Sequence, residues 1–513
     1  MMKKPYFITT PIYYVNDVPH LGHAYTTLAC DMIARFKRLD GFDVLFSTGT
    51  DEHGQKVEKS ALAKGIDPQA FTDQVSQNFK TLSDVMHFSD DCFIRTTDPK
   101  HKAVVQKLWK ILEEKGHIYK GAYSGWYAVR DEAYYTVDEL TKNEAGEQVA
   151  PTGAVCEWVE EPSYFFDLSK WKDKLLDFYE THPDFIAPKS RRNEVMSFVK
   201  SNLQDLSISR TTFGWGVPVP NDPEHVMYVW IDALTNYLTV SGYFDGNVNR
   251  YWPANLHMVG KDILRFHAIY WPAFLLAADI ELPKRIFAHG WWTIEGQKMS
   301  KSLGNVIAPK DLIDTYGVDQ TRYFLLREIS FGQDGNFSKA AIAQRINSDL
   351  SNDLGNLVQR VLSMVVKNCD QKVPDDSAVS AEDKVMLIEN VYGILPTLRG
   401  HIDQQMLHKY LELVWQISAD ANKFIDTEAP CTLKKTDPER MAAVLYILLE
   451  MIRVIAILIQ PIMPDAAVKI LNLLNIANDK RDFTAVDPAF ALCVGETLEK
   501  PSPIFPRFEM AEA

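Results

Sequence analysis

Residues 6–14 read Tyr6-Phe7-Ile8-Thr9-Thr10-Pro11-Ile12-Tyr13-Tyr14. The run is apolar, aromatic and β-branched, and it predicts a buried strand. From His20 the spacing changes: Leu21, Tyr25, Leu28, Met32, Ile33 and Phe36 recur at helical intervals up to Leu39, and Gly41 stops the helix. Val44-Leu45-Phe46 then reads as a second strand. A strand–helix–strand unit at this place opens a parallel, nucleotide-binding sheet of the α/β class.

Outward from that unit the texture varies. Residues 116–228 are dense in Tyr and Trp (Tyr119, Tyr123, Trp126, Tyr127, Tyr134, Tyr135), with alternating patterns and turns, and predict an inserted α+β module. The parallel pattern is expected to resume at Val226-Met227-Tyr228-Val229-Trp230 and at Leu256-His257-Met258-Val259. From Ala340 to the end helical periodicity dominates. The expected division is a first half of the parallel-sheet domain at 1–115, the insert at 116–228, its second half at 229–295, a connecting region at 296–345 and an all-α domain at 346–513.

Composition narrows the classes of function. The 513 residues are 46% hydrophobic and 24% charged, ordinary values for a soluble chain of several domains. The apolar run Val444–Met463 contains Glu450 and Arg453 and is closed by Pro461 and Pro464. A charged pair mid-span is costly in lipid, so the run reads as a buried helix and no membrane partner is expected. No N-terminal stretch resembles a secretion signal. The six cysteines, Cys30, Cys92, Cys156, Cys369, Cys431 and Cys493, are scattered without any Cys-x-x-Cys, which excludes a cysteine zinc knuckle and suits a reducing cytoplasm. The net charge of −14 argues mildly against nucleic acid, although a local basic face such as Lys189, Arg191 and Arg192 can still bind RNA.

Gly49-Thr50-Asp51-Glu52-His53-Gly54-Gln55-Lys56 spaces superficially like a phosphate loop. It lacks Lys-Ser/Thr directly after the second glycine and sets two carboxylates where phosphates would sit. Two other strings carry more. His20 and His23, in Pro19-His20-Leu21-Gly22-His23, share one face at a helix start, where anions are favoured, and Gly22 between them allows close approach to the backbone. Lys298 and Lys301, in Lys298-Met299-Ser300-Lys301-Ser302 between Gly296 and Gly304, place two ammonium groups on a glycine-flanked loop able to close over a triphosphate. The two strings, in this order, resemble the signatures of the class I aminoacyl-tRNA synthetases. The resemblance implies attack of an amino-acid carboxylate on the α-phosphate of ATP, accompanied by Mg²⁺, followed by transfer to tRNA. His20, His23, Lys298 and Lys301 are then the catalytic residues, and no enzyme nucleophile is needed.

Within that class several strings resemble the methionyl-tRNA synthetases: Pro11–Asn16, Thr48–Gly54, Arg192–Val195, Ser207–Arg210, Tyr228–Tyr237 and Gly260–His267, spread over most of residues 5–465. The resemblance implies a Rossmann-like parallel-sheet catalytic domain, an inserted α+β connective domain and a C-terminal all-α anticodon-binding domain, with stem contacts from the 296–345 region. It implies an aromatic box for methionine made of Tyr14, Trp230, Tyr237 and His267, filled in by Ile12, Ala233, Leu234 and Ile263. Asp51 would hold the ammonium. Gly260 and Asp262 would face the adenosine, with His289, Gly290 and Gly22 completing the ATP site. Sulfur beside aromatic rings gains roughly 0.3–1.5 kcal/mol, consistent with such a box. Leucyl, isoleucyl and valyl enzymes need an editing insertion because a methylene separates substrates by only about 1–3 kcal/mol, and the spacer here leaves no room for one.

Where many members of the family carry zinc knuckles, this chain has Gly125-Trp126-Tyr127-Ala128-Val129-Arg130-Asp131-Glu132. It resembles the metal-free subgroup, and no structural zinc is expected. Asn352, Asn356 and Arg360 recur every four residues on one helix face. By resemblance they read the anticodon of initiator and elongator methionine tRNA. Ala429-Pro430 resembles the end of a second anticodon element, but Cys431 stands where the family usually has Trp. With no appended oligonucleotide-binding barrel in view, a monomer is expected. Other synthetases of the class, small-molecule nucleotidyltransferases sharing the histidine motif and non-catalytic RNA-binding relatives are the competing readings. The length counts against the second, and the intact histidines and lysines count against the third.

Overall fold

A computed structural model describes residues 2–15, 18–246, 250–299 and 304–509. The opening run forms two strands, Pro5–Thr9 and Tyr13–Tyr14, interrupted at Thr10–Ile12. Both pair in parallel with Asp43–Asp51, the first with its early half and the second with Thr50 and Asp51. Between them in sequence runs the helix Leu21–Leu39, whose buried face includes Tyr25, Leu28, Met32, Ile33 and Phe36. Asp40 caps the helix, and Gly41 turns the chain at φ +85°, a conformation that favours glycine.

Among the described residues the main sheet has seven strands, all parallel. Its order is Ile186–Ala187, Ile286–His289, Leu256–Gly260, Pro5–Thr9, Asp43–Asp51 and Tyr13–Tyr14, with Cys92–Arg95 also on Asp43–Asp51. The strand order reverses between Pro5–Thr9 and Leu256–Gly260, and doubly wound sheets open a crevice at such a point beyond the carboxyl ends of the strands.

Two expectations are corrected. Val226–Trp230 is not a parallel strand. Asp222–Met227 pairs antiparallel in a small sheet with Ser209–Arg210 and Pro218–Val219, and Val229–Ser241 is a helix. The run is apolar because both elements are buried, and apolarity alone does not separate strand from helix. The stretch 116–228 is also not one uninterrupted excursion: Ile186–Ala187 lies inside it and joins the catalytic sheet beside Ile286 and Phe287. The excursion proper is a long hairpin, Ile118–Ala128 against Glu157–Phe166, extended by Ala133–Tyr135 and Leu206–Ser207.

The C-terminal region is helical. Pro438–Ile459 lies at its centre, and 94% of its most apolar window is buried inside the protein. Its charged pair is internal: Arg453 donates to both Glu450 oxygens at 2.9 Å, Tyr392 Oη and Leu492 N–H also donate to Glu450, and Arg453 reaches Ala485 O. A buried pair is tolerable when every polar atom is engaged in this way. The helical and catalytic regions share one core, where Phe36 meets Tyr410 and Phe483. Buried Arg322 pins them together. It donates to Asp31 Oδ2 at 2.6 Å, on the helix that His20 begins, and to the carbonyls of Met86, Pro461 and Ile462. Arg399–Asp40 and Lys37–Asp403, both at 2.7 Å, add outer ties.

Candidate active site

A cavity of about 920 Å³ opens at the switch point of the sheet. Its walls include Ile12, Tyr14, His20, Gly22, His23, Asp51, Trp230, Gly260, Asp262, Ile263, His289, Gly290 and Lys298. It is large enough for a nucleotide and a small second substrate together. Lys301 lies outside the described residues.

His20 caps the helix Leu21–Leu39, and its relation to His23 is reciprocal. Gly22 N–H donates to His20 Nδ1 and His20 N–H donates to His23 Nδ1, both at 3.1 Å. The rings stack with centroids 3.8 Å apart. Burial lowers the pKa of both, and for His23 the neighbouring His20 adds to the effect. Both rings are therefore neutral at pH 7. Because each Nδ1 accepts from the backbone, each proton sits on Nε2, and two neutral N–H donors are fixed without mobile charge. A Cβ on Gly22 would lie 3.0 Å from the His20 ring, so this glycine spares the ring from crowding.

Four buried carboxyl groups cluster at the opposite wall, which Asp51 and Glu132 line while Glu52 and Asp232 do not reach the cavity. Glu52 is held by Thr50, Thr97 and a bidentate Arg95. Asp232 is held by His53 at 2.6 Å and His101 at 2.8 Å. Burial pushes Asp232 up, but the two imidazoles outweigh it and hold its pKa at about 2. Glu132 accepts from Tyr14, Tyr127 and Lys56 N–H. Asp51 differs: its Oδ1 is buried and has no partner among the described residues. Burial, then Asp232, Glu132 and Glu52, raise its pKa well above the usual carboxylate range. An orphaned buried carboxylate oxygen calls for a cation, and a substrate ammonium supplies one.

Beyond Asp51 lie the aromatic residues. Trp230 stacks on Phe266 at 3.7 Å and 6°, with its indole Nε1 buried and without a partner among the described residues. Tyr14 donates to His53 O or Glu132 Oε1, both at 2.9 Å. Tyr237 Oη and His267 Nε2 are 2.7 Å apart, and His267 Nδ1 is 3.0 Å from Ile263 O. Burial lowers His267 to a pKa of about 4. The ring is therefore neutral, its Nδ1–H donates to the carbonyl and its Nε2 accepts from the tyrosine. Ile12, Tyr14, Trp230 and Ile263 line the cavity, whereas Ala233, Leu234, Tyr237 and His267 are buried residues behind that wall. His267 sits in a π-helical turn, Phe266–Tyr270, a device found at functional sites.

The nucleotide side is built on strand ends. Gly260 ends its strand, and a Cβ there would lie 2.5 Å from Asp262 Oδ1. His289 Nε2 is 2.7 Å from Thr26 Oγ1, and its Nδ1 is 2.8 Å from Gly290 O, tying the strand Ile286–His289 to the helix of His20. Burial lowers the His289 pKa. Lys298 lies on the short strand Gln297–Lys298, and its ammonium stands 5.5 Å from the Trp291 ring centroid.

Two family models match the chain, "tRNA synthetases class I (M)" over residues 6–362 and "Anticodon binding domain of methionyl tRNA ligase" over residues 373–513. The chain belongs to the class I methionyl-tRNA synthetases. A methionine–tRNA ligase of Rickettsia conorii is 56% identical over 99% of this chain and 100% of its own length. One of Rhizobium meliloti is 51% identical over 99% of each. The Mycobacterium tuberculosis methionyl-tRNA synthetase in complex with methionyl-adenylate superposes with a TM-score of 0.95 at 51% identity, covering 98% of this chain and 100% of the other. The apo form of the same protein superposes with a TM-score of 0.89.

In this synthetase Asn352 and Asn356 are exposed and Arg360 is partly so. Ile346–Gly355 is π-wound and continues into the α-helix Asn356–Asn368, so the simple four-residue repeat crosses a change of pitch. Arg360 pairs with Asp426 at 3.0 Å. Cys431 is exposed at the start of the helix Pro430–Thr436. The basic cluster is partly structural, with Arg191 on Glu194 and Arg192 donating to Tyr179 O. Glu132, Thr26 and Trp291 also belong to the site, although no motif in the sequence marks them. Glu132 adopts φ +48° and reaches the pocket from the inserted hairpin, a contact between distant segments that carries no local signal.

Proposed function

We propose that the chain is a methionine–tRNA ligase that activates L-methionine with ATP and transfers it to methionine tRNA, initiator and elongator alike. The observation that carries this is one cavity holding the unpartnered Asp51 oxygen on one wall and two neutral Nε2–H imidazoles on another. Asp51 receives the methionine ammonium. The thioether enters the apolar slot beside Trp230 and Ile263, and Tyr237 and His267 support its wall from behind. A carboxylate oxygen of methionine then attacks the α-phosphorus of ATP in line and pyrophosphate leaves. His20 and His23 donate to the phosphate oxygens as charge grows, each such donor being worth about 3 kcal/mol. Lys298, with Lys301, neutralises the departing pyrophosphate. Neutral imidazoles suit this role because their protons stay in place through the reaction. In the second step a ribose hydroxyl of the tRNA end attacks the methionyl carbonyl and AMP leaves. Neither step requires an enzyme nucleophile.

Mg²⁺ enters as the counter-ion of ATP, held mostly by phosphates and water. No structural zinc is proposed. At the hairpin tip Asp131 accepts from Arg130, Tyr135 and Thr152, and Cys156 packs with Ala128, Ala150 and Ala154, interactions that support the tip without metal. Stoichiometric zinc in the purified protein would refute this. Asn352, Asn356 and Arg360 are proposed to read the anticodon, and the protein is proposed to act as a cytoplasmic monomer. The decisive assay is charging of bulk tRNA with labelled methionine. Methionine acceptance equal to that of methionine tRNA alone is expected, and its absence would overturn the proposal.

A further inference from the structure

Trp291 stands at the mouth of the cavity and is 40% exposed, so burial does not account for its placement. Polar groups fix it instead. Asp334 Oδ1 accepts its backbone N–H at 2.8 Å, and Asp262 Oδ1 accepts its indole N–H at 3.2 Å. The Lys261 ammonium lies 4.3 Å from the ring centroid and is itself held by Asp334 Oδ2 at 2.7 Å. The ring fastened in this way carries the Lys298 ammonium at 5.5 Å, within cation–π range. Asn305 Nδ2 donates to Lys298 O at 3.0 Å, which holds the backbone beneath that side chain.

We propose that Trp291 is a positioning residue for adenylate formation: its indole holds the Lys298 ammonium at the cavity mouth before ATP arrives. Asp262 and Lys261 set the ring, and the ring sets Lys298. A lysine on a flexible four-carbon stem must otherwise be ordered at the moment of binding, which lowers affinity. The inference rests on the reading that Lys298 meets the phosphates of ATP.

The test is methionine-dependent ATP–pyrophosphate exchange with the full chain carrying Trp291→Ala, Trp291→Leu or Trp291→Phe. Loss of one exposed cation–π contact corresponds to roughly two- to fivefold in an equilibrium. KM for ATP is expected to rise by about that factor in the Ala and Leu variants, with KM for methionine unchanged and the Phe variant, which keeps a ring but loses the N–H that Asp262 holds, falling between the parent and the Ala variant. In a Lys298→Gln background the Trp291→Ala effect is expected to vanish. An unchanged KM for ATP, a Leu variant as good as the parent, a parallel rise in both KM values, or an effect that persists without Lys298 would each overturn the proposal. If Lys298→Gln alone leaves exchange intact, the reading of Lys298 itself fails, a result distinct from failure of the Trp291 variants.

Discussion

Replacing Asp51 by Asn should change ligand binding and stability in opposite directions. In the free protein the Asp51 carboxyl is buried, its Oδ1 lacks a partner among the described residues, and burial, then Asp232, Glu132 and Glu52, raise its pKa. A group whose folded pKa is raised contributes stability below its unfolded pKa and loses it as pH rises through the folded value. At pH 7 the carboxylate is therefore a liability of the empty site, and Asp51→Asn should raise Tm. On the proposed binding mode, the same charge faces a buried ammonium once methionine is bound. Truncating one partner of a buried charge pair costs about 2–5 kcal/mol, on the order of 30- to 5,000-fold in Kd. Calorimetric titration of methionine, with Kd for ATP as the control, reads this directly. For the parent protein, methionine affinity should also strengthen as pH rises through the Asp51 pKa. A Kd for methionine within threefold of the parent, or a variant that loses both Tm and ATP binding, would refute the reasoning.

Three further outcomes follow from the same geometry. His23→Gln should lower kcat of exchange by roughly 10²- to 10³-fold, the effect of removing one preorganised donor, with Kd for methionine unaltered in calorimetry. Because burial lowers His20 and His23 in the folded state, the unfolded chain binds more protons below about pH 6.5. Chemical denaturation should accordingly find stability falling with acid, and variants lacking either imidazole should show a shallower fall. Cys431→Trp restores a ring to an exposed helix start. Since stacking on a base is worth about 1–3 kcal/mol, the variant should bind methionine tRNA more tightly in filter binding.

The legible parts of the fold were those written in local periodicity. The change from the run at Tyr6 to helical spacing after His20 identified the sheet and the first helix, and the charged pair Glu450–Arg453 identified a buried helix. Legibility failed where an element is too short or too buried to show a period. Ile186–Ala187 is a two-residue strand, and Val226–Trp230 runs from a buried strand end into a buried helix start, so it is apolar with no period of its own. The residues that build the cavity could be nominated from motifs, but their division of labour required three dimensions. The engagement of Glu52, Glu132 and Asp232 that leaves Asp51 Oδ1 without a partner among the described residues depends on contacts between segments far apart in sequence, and the reciprocal capping that sets both tautomers of His20 and His23, though local, shows only in the geometry of the helix start. Tyr237 and His267 belong to the nominated box, yet they act from behind the wall, joined to each other at 2.7 Å.

On the reading proposed above, this cavity selects methionine and converts it with ATP to methionyl-adenylate and pyrophosphate without help from tRNA. Amino-acid-dependent ATP–pyrophosphate exchange, run with each of the twenty amino acids in the absence of tRNA, tests it most directly. Exchange with methionine alone is the predicted result; exchange with another amino acid in its place, or with none, would contradict the account.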